Sequence, residues 1–119
     1  MANPFVHIEL STPDAAKAKE FYSALFGWSF HDEDMGNGFI YSTFHPDSGP
    51  GGGLFSAPGM PTQWLTYVGV DEINAATEKA KTLGANILKG PMEIPNIGWF
   101  TILVDPTGAP IALFQAKMG

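Results

Sequence analysis

The sequence predicts an α+β fold: two tandem βαβββ modules forming a curved eight-stranded mixed sheet, with two helices on its convex face. Three observations point there. The first segment, Phe5 to Ser11, alternates Val6, Ile8 and Leu10 with His7, Glu9 and Ser11, the period of a strand with one apolar face. The next segment places Ala18, Phe21, Tyr22 and Leu25 at helical spacing. The whole pattern then recurs. Asp14 and Asp71 open the two helical segments and Gly27 and Gly84 close them, both pairs separated by 57 residues (71 − 14 and 84 − 27).

The elements follow in order. The even residues of the first strand are expected to pack on a helix and the odd ones to face something more polar. Thr12 is expected to cap the first helix, with Pro13 at its first position and Asp14 adding favourable charge. Gly27 ends it. Trp28 to Asp32 reads as the second strand, Gly36-Asn37-Gly38 as a tight turn and Phe39 to Phe44 as the third strand. Gly52 to Ser56 is the fourth strand, and Gly49 to Gly53 reads as a flexible loop and an open strand edge rather than a phosphate loop, because no Lys-Ser/Thr follows.

Ala57 to Pro61 reads as the linker between modules, placed at 1–57 and 62–119. In the second module, Gln63 to Val70 is a strand and Asp71 caps a helix with Ile73, Ala76, Ala80 and Leu83 on one stripe. Asn86 to Lys89 and Trp99 to Val104 are strands, Asp105 to Gly108 is a turn, and Pro110 to Gln115 closes the sheet. Gly38, Pro46 and Pro50 match Gly98, Pro106 and Pro110 at a separation of 60 (98 − 38, 106 − 46 and 110 − 50).

Composition narrows the function classes. Over 119 residues, 45% are hydrophobic and 15% charged, enough apolar material for a core and too little charge for a disordered chain. There is no cysteine, which excludes disulfides, a thiol nucleophile and thiolate metal ligands. A net charge of −6 argues against a nucleic-acid partner. No apolar run reaches membrane-span length, and Met1-Ala2-Asn3-Pro4 does not read as a signal peptide. The expectation is a soluble, cytoplasmic domain without a membrane partner.

The stretches Phe5-Val-His-Ile-Glu-Leu-Ser-Thr-Pro-Asp14 and Phe21-Tyr-Ser-Ala-Leu-Phe-Gly-Trp28 resemble the vicinal oxygen chelate superfamily. So do Trp64-Leu-Thr-Tyr-Val-Gly-Val-Asp71, Gly90-Pro-Met-Glu-Ile-Pro95 and Val104-Asp-Pro-Thr-Gly108 in the second half. The superfamily includes glyoxalase I, bleomycin-resistance proteins, fosfomycin-resistance enzymes and extradiol dioxygenases. The resemblance covers essentially the whole chain and implies the glyoxalase/bleomycin-resistance fold, whose activities are many.

In metal-dependent relatives four His, Gln or Glu positions ring the trough. The resemblance puts His7 at the first. It puts Leu65 at the second, or Gln63 if the register slips by two. The fourth strand offers only Gly51 to Gly53, Leu54 and Phe55, and the last offers Ala112. A catalytic divalent metal needs about three protein ligands, so no cofactor is expected, with a divalent metal through His7 as the alternative.

His7 and Glu9 lie at i, i+2 on one strand face. They read either as a general acid–base or residual ligand pair, or as a hydrogen-bonded polar pair in a cavity or subunit interface. Gln63, Leu65 and Tyr67 are expected to line the trough, with Phe114 among the aromatic lining. His31 to Asp34 reads as a solvated strand end. Two functions are carried forward. One is a metal-independent module binding a small hydrophobic or aromatic metabolite through His7, Glu9, Gln63, Leu65, Tyr67 and Phe114, as a homodimer. The other is a glyoxalase-like enzyme (lyase, isomerase or dioxygenase), metal-dependent through His7 or metal-free with Glu9 or His7 as base.

Overall fold

A computed structural model describes residues 3–117; Met1, Ala2, Met118 and Gly119, the outer ends of the expected modules, lie outside the described residues. The element order is β1 (Phe5–Thr12), α1 (Ala15–Phe26), β2 (Phe30–Asp34), β3 (Ile40–Phe44), β4 (Gly51–Ser56), β5 (Gln63–Gly69), α2 (Ile73–Thr82), β6 (Asn86–Ile94), β7 (Gly98–Val104) and β8 (Pro110–Ala116). This is the expected α+β class: eight strands in a mixed sheet, and two helices. Contacts divide the chain into two units, His7–Leu65, and the residues before His7 with those from Thr66 onward.

In the His7–Leu65 unit the strand order is β2-β3-β4-β1. β1 and β4 run parallel, with His7 opposite Gly51 and Glu9 opposite Gly53; β3 is antiparallel to both β2 and β4. Leu10, Phe44 and Leu54 are buried. The Trp28 ring stacks on Phe44 at 4.5 Å, and Tyr22 meets Trp28 and Trp64 at 5.9 and 5.4 Å. β2 carries His31, Asp32, Glu33 and Asp34 on an outer strand, where charge discourages pairing with another chain. Asp32 is held there by Lys19 at 3.1 Å and by the buried Ser42 hydroxyl at 2.6 Å.

Three expectations change in this unit. Asp14, not Thr12, caps α1: its carboxylate accepts the Lys17 N–H, while Thr12 accepts the Asp14 N–H. The carboxylate reaches the orphan donors of the first turn, and Thr12 is still part of β1. The apolar stripe of α1 is not buried, with Phe21 57% and Leu25 58% exposed. The helix contributes Tyr22 instead, whose ring packs on Trp28 and Trp64. Finally, the glycine run is not an open edge. β4 lies between β3 and β1, and Gly52 and Gly53 are buried because neighbouring groups occupy the space their side chains would need.

In the other unit, which takes β5 from Thr66 onward, the order is β5-β8-β7-β6, with β5 and β8 parallel and β7 antiparallel to its two neighbours. Tyr67, Ile73, Leu103 and Ala112 are buried. The Thr77 hydroxyl donates to the Ile73 carbonyl at 2.7 Å and accepts from Thr101 at 2.8 Å, so two buried hydroxyls satisfy each other. Glu72, not Asp71, caps α2, and the Gln115 side chain on β8 accepts the Ile73 N–H at 2.7 Å. Ile73 and Thr77 are the buried residues of α2, whereas Leu83, expected on the same stripe as Ile73, is 67% exposed. β6 runs past Lys89 to Ile94 because Gly90, at φ 97°, absorbs a bulge that lets the ladder resume at Met92. The Asp105 turn forms as expected, its carboxylate accepting the Thr107 and Ala109 N–H groups.

Candidate functional site

The alternation of β1 sends Leu10 to one face and His7 and Glu9 to the other. β3 supplies the third member of the site. Tyr41 Oη donates to Glu9 Oε1 at 2.8 Å and lies 2.8 Å from His7 Nε2. A phenol has one proton. With that proton on Glu9, the oxygen can only accept from His7, which fixes the imidazole as its Nε2–H tautomer. The result is a directed chain, His7 to Tyr41 to Glu9, on a half-buried face of the His7–Leu65 unit.

Glycines make room for it. Gly53 is the cross-strand neighbour of Glu9, and a Cβ there would overlap Cζ and Oη of Tyr41. Gly51 is the neighbour of His7, and a Cβ there would come within 3.0 Å of the His45 ring. Tyr41 and His45 therefore lie over bare backbone. Burial, and then the nearby His45, hold the His7 pKa below its ordinary 6.5, so His7 is neutral at physiological pH.

The expected residues are partly assembled. His7 and Glu9 come together through Tyr41. Gln63 and Leu65 stand on β5 in the same unit, Gln63 half-buried and Leu65 buried. Tyr67 and Phe114 belong to the other unit: Tyr67 is buried opposite Ala112 on β8, and the Phe114 ring lies against Gly98. Tyr41 was not expected. Its parity opposite to the buried Ser42 and Phe44 was a signal, but the pairing that brings it to Glu9 runs through β4 and is long-range.

The donor set does not fit the divalent metal of metal-dependent relatives. His7 Nε2 and Glu9 Oε1 are both engaged by Tyr41, and their neighbours on β4 are glycines. Among the described residues no three His, Asp or Glu side chains come together as a metal site. A separate open cavity of about 600 Å³ lies on the Leu10 face, lined by Leu10, Thr12, Asp14, Lys17, Phe21 and Tyr22. Asp14 in that cavity is the cap of α1.

Residues 5–113 match the family described as Glyoxalase/Bleomycin resistance protein/Dioxygenase superfamily. The chain is 33% identical over 116 residues to "Putative glyoxylase CFP32" of Mycobacterium tuberculosis, covering 92% of this chain and 44% of that protein. It is 28% identical to "Anthracycline biosynthesis protein DnrV" of Streptomyces peucetius, covering 90% of this chain and 45% of that protein. It thus spans less than half the length of these curated relatives. Among solved structures, a Bacillus halodurans protein (BH1468) aligns with a TM-score of 0.77 at 14% identity, covering 100% of this chain and 98% of the other. Methylmalonyl-CoA epimerase from Mycobacterium tuberculosis aligns with a TM-score of 0.70 at 16% identity, covering 97% and 89%. At these identities the structures establish the fold alone.

Proposed function

From the premise that this chain belongs to the glyoxalase/bleomycin resistance protein/dioxygenase superfamily, we propose that it is a metal-independent module that binds a small hydrophobic or aromatic metabolite. The observation that carries this is the Tyr41 hydroxyl inserted between His7 and Glu9 at 2.8 Å from each. It occupies atoms that would otherwise serve as metal ligands and leaves a polar anchor surrounded by rings. Gln63 and Leu65, which stand in the same unit, are the further lining residues of this proposal. A cytoplasmic homodimer is the assembly that goes with it.

A second reading has its own support. His7, Tyr41 and Glu9 form a continuous path for a proton, and burial keeps His7 neutral, as a general base requires. In that reading the chain is a metal-free, glyoxalase-like enzyme. His7 or Glu9 would take a proton from a carbon beside a carbonyl, and Tyr41 would pass charge between them.

Elemental analysis of protein purified without a His-tag, followed by a chelator challenge and a metabolite screen by thermal shift, tests the first reading. The expected result is a ligand-dependent rise in Tm that the chelator leaves unchanged. Stoichiometric Zn, Ni, Mn or Fe lost on His7→Ala contradicts it. Turnover of a metabolite hit that falls in Glu9→Gln supports the enzyme; unchanged turnover removes Glu9 as base.

A further inference from the structure

The two helices are seated differently. α2 buries Ile73 and Thr77, whereas α1 buries none of its residues. Lys17, Phe21 and Leu25 stand at i, i+4 and i+8, so they form one line along α1. Phe21 and Leu25 are exposed, and so is Phe26 at the end of the helix. The Tyr22 ring joins them into a patch, 5.0 Å from Phe21 and 6.1 Å from Phe26. Trp64 extends the patch at 5.4 Å from Tyr22 and is itself exposed. Phe21, Leu25, Phe26 and Trp64 together bare on the order of 400 Å² of side chain, about half of what each partner gives a standard interface. The cavity of about 600 Å³ opens beside the same line, between Leu10, Pro13, Ala18, Phe21, Tyr22 and Thr62. A short helix takes most of its stability from packing an apolar face, and α1 leaves most of that face unused within its own chain.

Resting on the homodimer proposed above, we infer that this face is where two copies of the chain meet, α1 against α1, antiparallel about a twofold axis at Phe21. In that arrangement the patch is complementary to itself. Residues equally far from the axis change places, so Lys17 of each copy meets the Leu25 turn of the other. That turn ends α1, and its last carbonyls carry the negative end of the helix dipole, which favours a cation there. Lys17 has no ion-pair partner among the described residues, unlike Lys19, which holds Asp32. A parallel pairing would set Lys17 against Lys17 and one carbonyl end against the other. The cavity beside the line gives the other copy's apolar side chains room to interdigitate. A second copy brings both the ridge and the cavity, so the contact closes on itself and covers the patch on both chains. Packed helices stand about 8–10 Å apart, with α-carbons about 2.3 Å from each axis, so the two Phe21 α-carbons come to about 5 Å, a distance a disulfide spans.

Sedimentation velocity over a wide concentration range, with circular dichroism of each variant, tests this. Wild type is expected to sediment as a dimer that dissociates on dilution. Phe21→Lys puts two ammonium groups at the axis and is expected to weaken the dimer about a hundredfold or more. Lys17→Glu, which sets a negative charge against the other copy's carbonyl end, is expected to weaken it severalfold. The chain has no cysteine, so a single introduced thiol can pair only with its counterpart in another copy. Phe21→Cys is expected to give a disulfide-linked dimer under mild oxidation. Ala16→Cys, also exposed but about 140° away around α1, is not. The cysteine pair reads the contact at exposed positions, whatever lysine does to folding. A dimer that keeps its affinity in Phe21→Lys, or that cross-links as readily through position 16 as through 21, overturns the interface at α1 and leaves the homodimer standing. Unchanged affinity in Lys17→Glu overturns the antiparallel arrangement. A wild-type monomer at every concentration overturns both the inference and the homodimer beneath it.

Discussion

Gly53 lies directly under the Tyr41 ring, and the ring and its hydroxyl take the space that a β-carbon on Gly53 would need. Because Gly53 is also the ladder partner of Glu9, this one missing side chain sets where the hydroxyl between Glu9 and His7 can stand. The two glycines in the middle of β4 therefore differ in what they protect. A Cβ at Gly53 meets the far end of a side chain that can swing away. One at Gly52 meets the Ile8 carbonyl and the Phe44 ring, at the bottom of the core.

Gly53→Ala is accordingly expected to abolish or strongly weaken ligand binding while costing only about 1–2 kcal/mol of stability. Gly52→Ala is expected to cost about 3 kcal/mol or more, because backbone and core ring must both move. Urea titration of the two variants checks the contrast. Equal destabilisation by the two would show that Tyr41 is wedged rather than movable.

Tyr41→Phe removes one hydroxyl and leaves the ring in place. Two half-buried polar groups each lose a partner, with an expected cost of about 1–3 kcal/mol. Chemical denaturation gives the cost. The ¹⁵N shifts of the His7 imidazole, expected to leave the Nε2–H pattern in the variant, test the direction of the chain.

The lowered pKa of His7 has a defined sign in stability. The unfolded chain protonates this group near 6.5 and the folded chain only at lower pH. Between those two values the unfolded state binds more protons. The contribution from His7 is therefore complete above 6.5 and is lost as pH falls through the folded pKa. His7→Gln is expected to flatten that part of the stability profile, measured as Tm from pH 7.5 downward; an unchanged slope would assign the acid sensitivity to other groups.

Gln115→Ala serves as a contrasting change in the other unit. The side chain accepts the first N–H of α2, so its loss is expected to lower stability by about 1 kcal/mol. Ligand affinity at the Tyr41 site should not change, which a titration of the folded variant reads directly.

The pattern of elements was legible in the sequence because it is local. Alternation in β1, helical spacing in α1 and α2, and the glycines at 27 and 84 each report on a few neighbouring residues. Element ends were less legible. Asp14 and Glu72 displaced the expected caps because capping depends on which carboxylate reaches the first turn, and β6 outran its expected end through the Gly90 bulge. His7 and Glu9 were visible as a pair on one strand face. Tyr41 was not, since its partnership depends on a parallel and an antiparallel pairing through β4 that no nearby residues encode. The glycine run was misread for the same reason: an absent side chain reveals its purpose only when the ring that fills its place is known.

Titration of a ligand found in the thermal-shift screen against chelator-treated wild type and Tyr41→Phe measures the central claim, metal-independent binding at the Tyr41 anchor, most directly. The account predicts that wild-type affinity survives the chelator and that the variant loses about tenfold. Binding that disappears with the chelator, returns with added Zn²⁺ and ignores the Tyr41 hydroxyl would contradict it.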